Sequence, residues 1–363
     1  MATSTLKNIE KARAKNGFDS RLPMDSLQIL RYRCFEHLTI ERLGRVNLIV
    51  GRNNVGKTAL LEALWIFANG GSGLLMYEIL KERNEIPPPP NGMSLSNSSE
   101  SIKGIRNLLF ARPDLGFIPG EYPGELDSGL NFIVGENIDI SGDEQKPVNK
   151  MLQISCLRAG SHDSLPQLKI NAFLRTVDNY FIKAGGLTDE KLVEFWDNIE
   201  KWVLEDLVIE ALKIVVPSLS DIRFSGYPNG SFSRVPVVRL ANAKERVPLR
   251  SLGEGMRRLL GVASALINCR DGILLIDEIE SGLHYSVLPD IWRLIFKTAK
   301  DLNVQVFATT HSSDCVEAFA QAVNDSPDEG MLIRLERHGE KIVAKSIAED
   351  MLVEAVNYEV EVR

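Results

Sequence analysis

Cysteine and histidine are scarce in this 363-residue sequence. The four cysteines are Cys34, Cys156, Cys269 and Cys315. They show no CxxC spacing, and the five histidines are not placed beside them as zinc ligands would be. We therefore expect no structural metal site.

Long apolar runs and an excess of positive charge are also missing. The longest apolar stretches, such as residues 259–267, fall far short of the roughly 20 residues that a transmembrane helix needs. No apolar segment follows the basic N-terminus as it would in a secretory signal, so we expect a cytoplasmic protein without a membrane partner. The net charge of −7 gives no global basic surface, although a local groove is compatible with it, so DNA or RNA stays open as a partner.

The composition is otherwise that of an ordinary globular protein, with 44% apolar and 25% charged residues. Residues 1–24 are predicted to be a flexible tail, and residues 25–363 a single folded unit. Its segments are 25–80, with a strand, a glycine loop and a helix; 81–104, a Pro- and Ser-rich disordered loop; 105–245, an inserted, partly helical lobe; and 246–363, where strands alternate with helices. This alternation predicts an α/β fold with a parallel-sheet core.

A phosphate-binding loop pattern, G-x-x-x-x-G-K-[ST], follows the apolar run at 46–50 and precedes a helical pattern. It consists of Gly51, Arg52, Asn53, Asn54, Val55, Gly56, Lys57 and Thr58. Glycines let successive amides face a phosphate at a helix N-terminus, Lys57 neutralises its oxygens, and Thr58 offers a hydroxyl to Mg²⁺. A chance match has a frequency of roughly 1% at usual residue frequencies, so a simple glycine turn is disfavoured.

Two further motifs carry the other groups that phosphoryl transfer needs. Asp277 and Glu278 end the apolar run 273–276, and we expect Asp277 to bind Mg²⁺ and Glu278 to orient the attacking water, although a solvated strand end is the alternative. His311 follows another apolar run and is placed to contact a γ-phosphate, whereas a purely structural histidine is the alternative.

A glycine-containing segment before a predicted helix, Ser251-Leu252-Gly253-Glu254-Gly255, resembles a degenerate form of the LSGGQ signature of ABC-type ATPases. A capped helix start is the alternative explanation for it. Three arginines beside it, Arg250, Arg257 and Arg258, are interpreted either as a phosphate or partner contact or as a solvated face.

With residues 27–50, these motifs resemble the ABC-type heads of RecF, SMC and OLD proteins. The resemblance implies a P-loop head with a mixed β lobe, ATP and Mg²⁺ as ligands, and a homodimer or higher even oligomer. It also implies that Ser251, Gly253 and Gly255 face the nucleotide of the partner, while Lys57, Glu278 and His311 act at the subunit's own nucleotide. No heptad run supports SMC-type arms.

Some features of the family are missing or altered. No glutamine lies between residues 60 and 130, where a Q-loop is expected, so that role stays unassigned. The segment 280–284 takes the D-loop position without an aspartate, which is more like RecF and OLD heads than transporter subunits. There His284 is interpreted as a nucleotide or partner contact or as an ordinary helix start.

OLD proteins continue into a TOPRIM nuclease, whereas this sequence ends at Arg363, and we expect an OLD-like ATPase without that domain. The resulting hypothesis is an ATPase that controls a separately encoded nuclease effector in bacterial anti-phage defence. The alternative is a RecF-like DNA-repair ATPase that binds DNA directly. A transporter subunit is disfavoured by the missing Q-loop, and a GTPase by the missing NKxD motif.

Overall fold

The computed structural model describes residues 22–86, 108, 130–135, 150–157, 167–172, 177–226, 234–241, 243–326 and 329–347. Its strands are β1 Ser26–Tyr32, β2 Phe35–Ile40, β3 Val46–Val50, β4 Leu130–Gly135, β5 Lys150–Leu157, β6 Gln167–Ala172, β7 Asn179–Ile182, β8 Leu219–Gly226, β9 Arg234–Leu240, β10 Val247–Pro248, β11 Ile273–Ile276, β12 Gln305–Thr309, β13 Gly330–His338 and β14 Lys341–Ile347. Its α-helices are α1 Lys57–Ala68, α2 Gly73–Glu82, α3 Asp189–Trp202, α4 Glu205–Lys213, α5 Glu254–Asn268, α6 Leu288–Leu302 and α7 Ser313–Asp325.

A six-stranded sheet in the order β14-β13-β3-β12-β11-β7 forms the centre of the fold. Strand β14 pairs antiparallel with β13, and every other neighbouring pair in this sheet is parallel. The predicted α/β fold with a parallel-sheet core is confirmed. Because parallel strands all end at one edge, the loops after β3, β11 and β12 meet there.

Both faces of the central sheet are covered by apolar side chains, as its parallel strands require. Along β11, Leu274 and Ile276 pack into one hydrophobic cluster, while Ile273 and Leu275 pack into the other. The first cluster contains residues of α3 to α7, and the second contains residues of α1, α2, β1 and β2. The strand is therefore buried on both sides and holds the turn that follows it in a fixed place.

Two smaller antiparallel sheets flank this core. One has the order β2-β1-β4-β5-β6, and the other has the order β10-β9-β8. The segment interpreted as an inserted lobe thus supplies strands β4 to β6 to the first sheet and places β7 in the central sheet. Strand β7 has only four residues, too few to show a periodic pattern in the sequence.

Two predicted segments fall largely outside the described residues. The tail at 1–24 is described only from residue 22. The loop at 81–104 is described only to residue 86, and its first two residues still belong to α2, which ends at Glu82. Within the described ranges, no helix combines the length and apolar character needed to cross a bilayer.

Candidate functional site

The phosphate-binding loop connects β3 to α1 and depends on its two glycines. Gly51 has a φ of 142°, and a Cβ there would lie 2.4 Å from the Leu335 carbonyl oxygen of β13. Gly56 has a φ of 94°, and its Cβ would lie 2.5 Å from Cys34 Sγ. Any side chain would therefore clash at both positions. The N-cap residue of α1 is Gly56, and no side chain of the described residues caps this helix, so its first amides are free to face an anion.

Lys57, the first residue of α1, is buried inside this loop with 5% of its surface exposed. Its ammonium donates to the carbonyl oxygens of Gly51 at 2.7 Å and Arg52 at 3.0 Å. Burial lowers the pKa of Lys57, and the nearby negative charge of Asp277 opposes that shift. Lys57 is thus held in the loop by neutral carbonyl acceptors, which an anionic phosphate can replace.

The hydroxyl of Thr58 and the carboxylate of Asp277 face each other across the loop. Thr58 Oγ1 donates to Asp277 Oδ2 at 3.1 Å, and Thr309 Oγ1 donates to Asp277 Oδ1 at 2.5 Å. A hydroxyl and one carboxylate are the hard oxygen ligands, few in number, that Mg²⁺ accepts while it keeps several waters. The donor set therefore fits Mg²⁺ bound together with phosphate oxygens.

Glu278 occupies the turn after β11 in a left-handed backbone conformation, with a φ of 48°. Its amide donates to Thr309 Oγ1 at 2.9 Å, and its carbonyl oxygen accepts a hydrogen bond from Arg258 at 2.9 Å. Among the described residues, no hydrogen bond involves its carboxylate. The backbone is thus fixed on both sides, and the acid group is left free to act on a ligand.

His311, which we call the switch histidine, follows β12. It lies next to the turn formed by Asp277 and Glu278 after β11, which we call the Walker B turn. The amide of Thr310 donates to the Ile49 carbonyl oxygen at 3.2 Å, and the amide of His311 donates to Glu280 Oε1 at 2.8 Å. The imidazole itself is exposed at the sheet edge where β3 and β11 also end. Helix α7 begins directly afterwards, and the Ser312 side chain caps it by accepting from the Cys315 amide.

The signature-like segment forms a short 3₁₀ turn and the start of α5. Ser251 is exposed and donates to the Pro248 carbonyl oxygen at 2.7 Å, and Gly253 has a φ of 102°. A Cβ at Gly255 would lie 2.6 Å from the Gly282 carbonyl oxygen, so α5 packs closely on the D-loop segment. No side chain caps α5, which disfavours the capped helix start as the explanation of this sequence.

Arginines 257 and 258 point inward, so the interpretation of these two as a solvated face is wrong, while a phosphate or partner contact stays a prediction. Arg258 has 6% of its surface exposed and donates to the carbonyl oxygens of Asp277, Glu278 and Lys183 at 2.6, 2.9 and 2.8 Å. Arg257 pairs with Asp189 at 2.7 Å. These contacts hold α5 against the Walker B turn and the start of α3.

The structure brings three of the four predicted motifs together, namely the phosphate-binding loop, the Walker B acids and the switch histidine. Among the described residues, no hydrogen bond joins Ser251, Gly253 or Gly255 to the loop at residues 51–58. The sequence alone indicates no role for Thr309 or Glu280. Both were visible in motif segments, but their contacts depend on how β11 and β12 are aligned.

This edge has the arrangement of an ABC-type P-loop nucleotide site. A family profile described as "AAA ATPase domain" matches residues 24–204, and one described as "AAA domain, putative AbiEii toxin, Type IV TA system" matches residues 207–315. The two profiles together span most of the chain, which is an AAA-type ATPase with an ABC-type P-loop site.

Individual known proteins are also similar to this chain in sequence or in fold. An "ATP/GTP phosphatase" of Helicobacter pylori is 24% identical over 339 residues, covering 83% of this chain and 89% of the relative. A Methanocaldococcus jannaschii protein, the uncharacterized MJECL11, is 34% identical over 93 residues, or 26% of this chain and 82% of that protein. An SMC head solved with the C-winged helix domain of ScpA matches with a TM-score of 0.52 at 14% identity, over 90% of this chain and 99% of that chain. The last of these shows the fold alone.

Proposed function

We propose that the chain dimerises on ATP and Mg²⁺, hydrolyses the ATP at sites shared between two copies, and thereby regulates a separately encoded effector. One observation carries the proposal. The predicted nucleotide-binding groups converge at one sheet edge, namely the loop at residues 51–58, Asp277, Glu278 and His311. The signature segment of the same chain makes no hydrogen bond to that loop in the described structure. A second copy would supply the signature group.

The chemistry follows from the residues at this edge. Free amides of the loop and Lys57 bind the phosphates, replacing the two carbonyl contacts that Lys57 makes in this structure. Thr58 and Asp277 would hold Mg²⁺, which neutralises charge that develops on the phosphate oxygens. Glu278 orients the attacking water and accepts its proton, and His311 contacts the γ-phosphate.

The partner's contribution comes from the N-terminus of α5, a helix of Glu254–Asn268 with no side-chain cap. Ser251 and the amides after Gly253 are exposed enough to face the γ-phosphate of a second subunit. The positive end of the helix dipole supports that contact. ATP between two such surfaces would stabilise the dimer, and its hydrolysis would release it.

The defence setting is supported by a family description. The profile that matches residues 207–315 is described as a putative toxin of a type IV toxin–antitoxin system, a name that pairs a toxin with a second component. We therefore infer that the effector is encoded beside this gene, and we assign it a nuclease activity. The overall negative charge favours a protein partner over direct DNA binding.

The test is co-purification with the product of the adjacent gene, with and without ATP. We expect ATP-dependent capture and a nuclease activity that changes with nucleotide, both lost in Lys57→Ala. Nucleotide-independent capture, or salt-sensitive binding of the chain alone to DNA, would contradict the effector proposal and favour the repair ATPase. ATP hydrolysis by the chain alone is measured in the same preparations, so the ATPase and the effector role are judged separately.

A further inference from the structure

Glu280 connects the Walker B turn to the switch segment. It lies two residues after Glu278, and its Oε1 accepts the amide hydrogen of His311 at 2.8 Å. The two residues belong to different loops, after β11 and after β12, and the hydrogen bond spans 31 positions in the sequence. Glu280 is therefore in contact with the switch histidine without being part of its segment.

The amide of His311 needs such an acceptor because it lies beyond both regular elements. Strand β12 ends at Thr309, the Thr310 amide is the last to reach β3, and α7 begins only at Ser313. An amide between a strand and a helix has no main-chain partner of its own. The Glu280 carboxylate supplies one, and this fixes the backbone from which the imidazole projects.

The second carboxylate oxygen strengthens the case for a functional residue. Glu280 Oε2 is buried and has no hydrogen-bond partner among the described residues. Burial lowers the pKa of Lys57 and of Arg258, and the negative charge of Glu280 is among those that oppose the shift in each. A partly unsatisfied carboxylate costs stability, so its retention beside the phosphate lysine points to the site and not to packing.

We propose that Glu280 is a positioning residue for hydrolysis, which holds His311 through its backbone amide so that the imidazole faces the γ-phosphate. The inference rests on the role that the proposed function gives to His311. Glu280 itself touches no reacting atom. Its loss leaves the loop at residues 51–58 intact, so it lowers kcat and leaves ATP affinity close to that of the wild type.

The experiment is a double-mutant cycle on the full chain, with Glu280→Ala, His311→Ala and the double variant. Glu280→Ala is expected to lower kcat about 10- to 100-fold, the effect of losing one charge-assisted hydrogen bond, with ATP affinity within about threefold. In the His311→Ala background the same change is expected to cost less than about threefold, because the group it positions is already missing. Glu317→Ala, an exposed glutamate on α7, is the matched control and should behave as the wild type.

Glu280→Gln separates the hydrogen bond from the charge, since its amide oxygen still accepts from the His311 N–H. We expect its kcat within about threefold of the wild type, and this variant also decides the question if Glu280→Ala does not fold. Equal losses from Glu280→Ala with and without His311, or a Glu280→Gln loss of about tenfold or more, would overturn the inference. Wild-type kcat in His311→Ala would instead overturn the proposed role of the histidine.

Discussion

Thr309 Oγ1 lies 2.5 Å from Asp277 Oδ1 and donates a hydrogen bond to that carboxylate. The same oxygen accepts the Glu278 amide hydrogen at 2.9 Å, and the Thr309 side chain is fully buried. One hydroxyl at the end of β12 therefore orients both acids at the end of β11. The proposed metal ligand and the proposed water-directing residue share a single support.

Thr309→Val should therefore reduce hydrolysis while it preserves side-chain volume. The change removes the donor to Asp277 and leaves the Glu278 amide without an acceptor, a loss of about 1–3 kcal/mol for a buried group. We expect turnover at saturating ATP to fall about tenfold or more, with a smaller effect on ATP binding. Steady-state hydrolysis and equilibrium binding measure the two effects. Thr309→Ser keeps the hydroxyl and is the control, and an unchanged turnover in Thr309→Val would refute the support role.

The sequence predicted the motifs of the site better than the contacts between them. Lys57, Asp277 and His311 stand in motifs whose spacing and flanking apolar runs place them at strand ends, and parallel strands bring those ends together. The role of Thr309 depends on the pairing of Ile276 with Ala308, which sets the two strand ends level with each other. Register between strands distant in sequence is a tertiary property that no local pattern encodes.

The burial of Arg258 is a second feature that the sequence alone does not indicate. A surface arginine and a buried one look alike in sequence, because burial depends on the carbonyl oxygens that the fold brings to it. Strand β7 was missed for a related reason, since four residues without alternation are identified only by their pairing with β11. In contrast, the helical spacing of apolar residues predicts helices over 255–267 and 287–299, and the observed α5 and α6 span Glu254–Asn268 and Leu288–Leu302.

Arg258→Met tests the structural role of that guanidinium. Methionine fills similar space but leaves the carbonyl oxygens of Asp277, Glu278 and Lys183 without their donor. We expect the free energy of unfolding to fall by about 2–4 kcal/mol. Arg250→Met is the matched control, because Arg250 is 65% exposed and its ion pair with Asp189 is a surface contact. Denaturant unfolding of both variants distinguishes them, and equal stabilities would contradict the assignment.

Glu278→Gln should separate ATP binding from hydrolysis. The amide cannot accept a proton from the attacking water, while the left-handed backbone and its two hydrogen bonds are unchanged. We expect turnover to fall about 100-fold or more with ATP affinity retained, and the ATP-bound dimer to accumulate. Light scattering after size-exclusion chromatography with ATP measures the dimer. Wild-type turnover would remove Glu278 as the base.

Ser251→Arg should block hydrolysis in trans without affecting ATP binding to a monomer. A large cation at this exposed position obstructs the surface that faces the partner's nucleotide, whereas Ser220→Arg, on β8, places the same charge elsewhere. Equal mixtures of Ser251→Arg and Lys57→Ala chains provide the sharper test. Random pairing gives one intact site in half of the dimers, so about a quarter of wild-type activity should return. No recovery above the two separate variants would defeat the composite site.

The pH dependence of nucleotide affinity should report on Lys57. Burial lowers the pKa of this lysine in the nucleotide-free fold, and a bound triphosphate favours its charged form and raises that pKa again. Affinity should therefore be full below the lowered pKa and fall as the pH rises from there towards the pKa of the complex. In that interval each binding event takes up a proton.

Titration calorimetry with a non-hydrolysable ATP analogue, in two buffers of different ionisation enthalpy, counts that proton. Without nucleotide, the effect of pH on folding stability has the opposite sign to its effect on nucleotide affinity. The unfolded chain binds more protons than the fold between the lowered pKa and the ordinary lysine value, so the contribution of Lys57 to stability increases with pH across that range. Lys57→Met should remove both effects. Proton release on binding, or an affinity that rises with alkaline pH, would show that the lysine is not the group that the phosphate recharges.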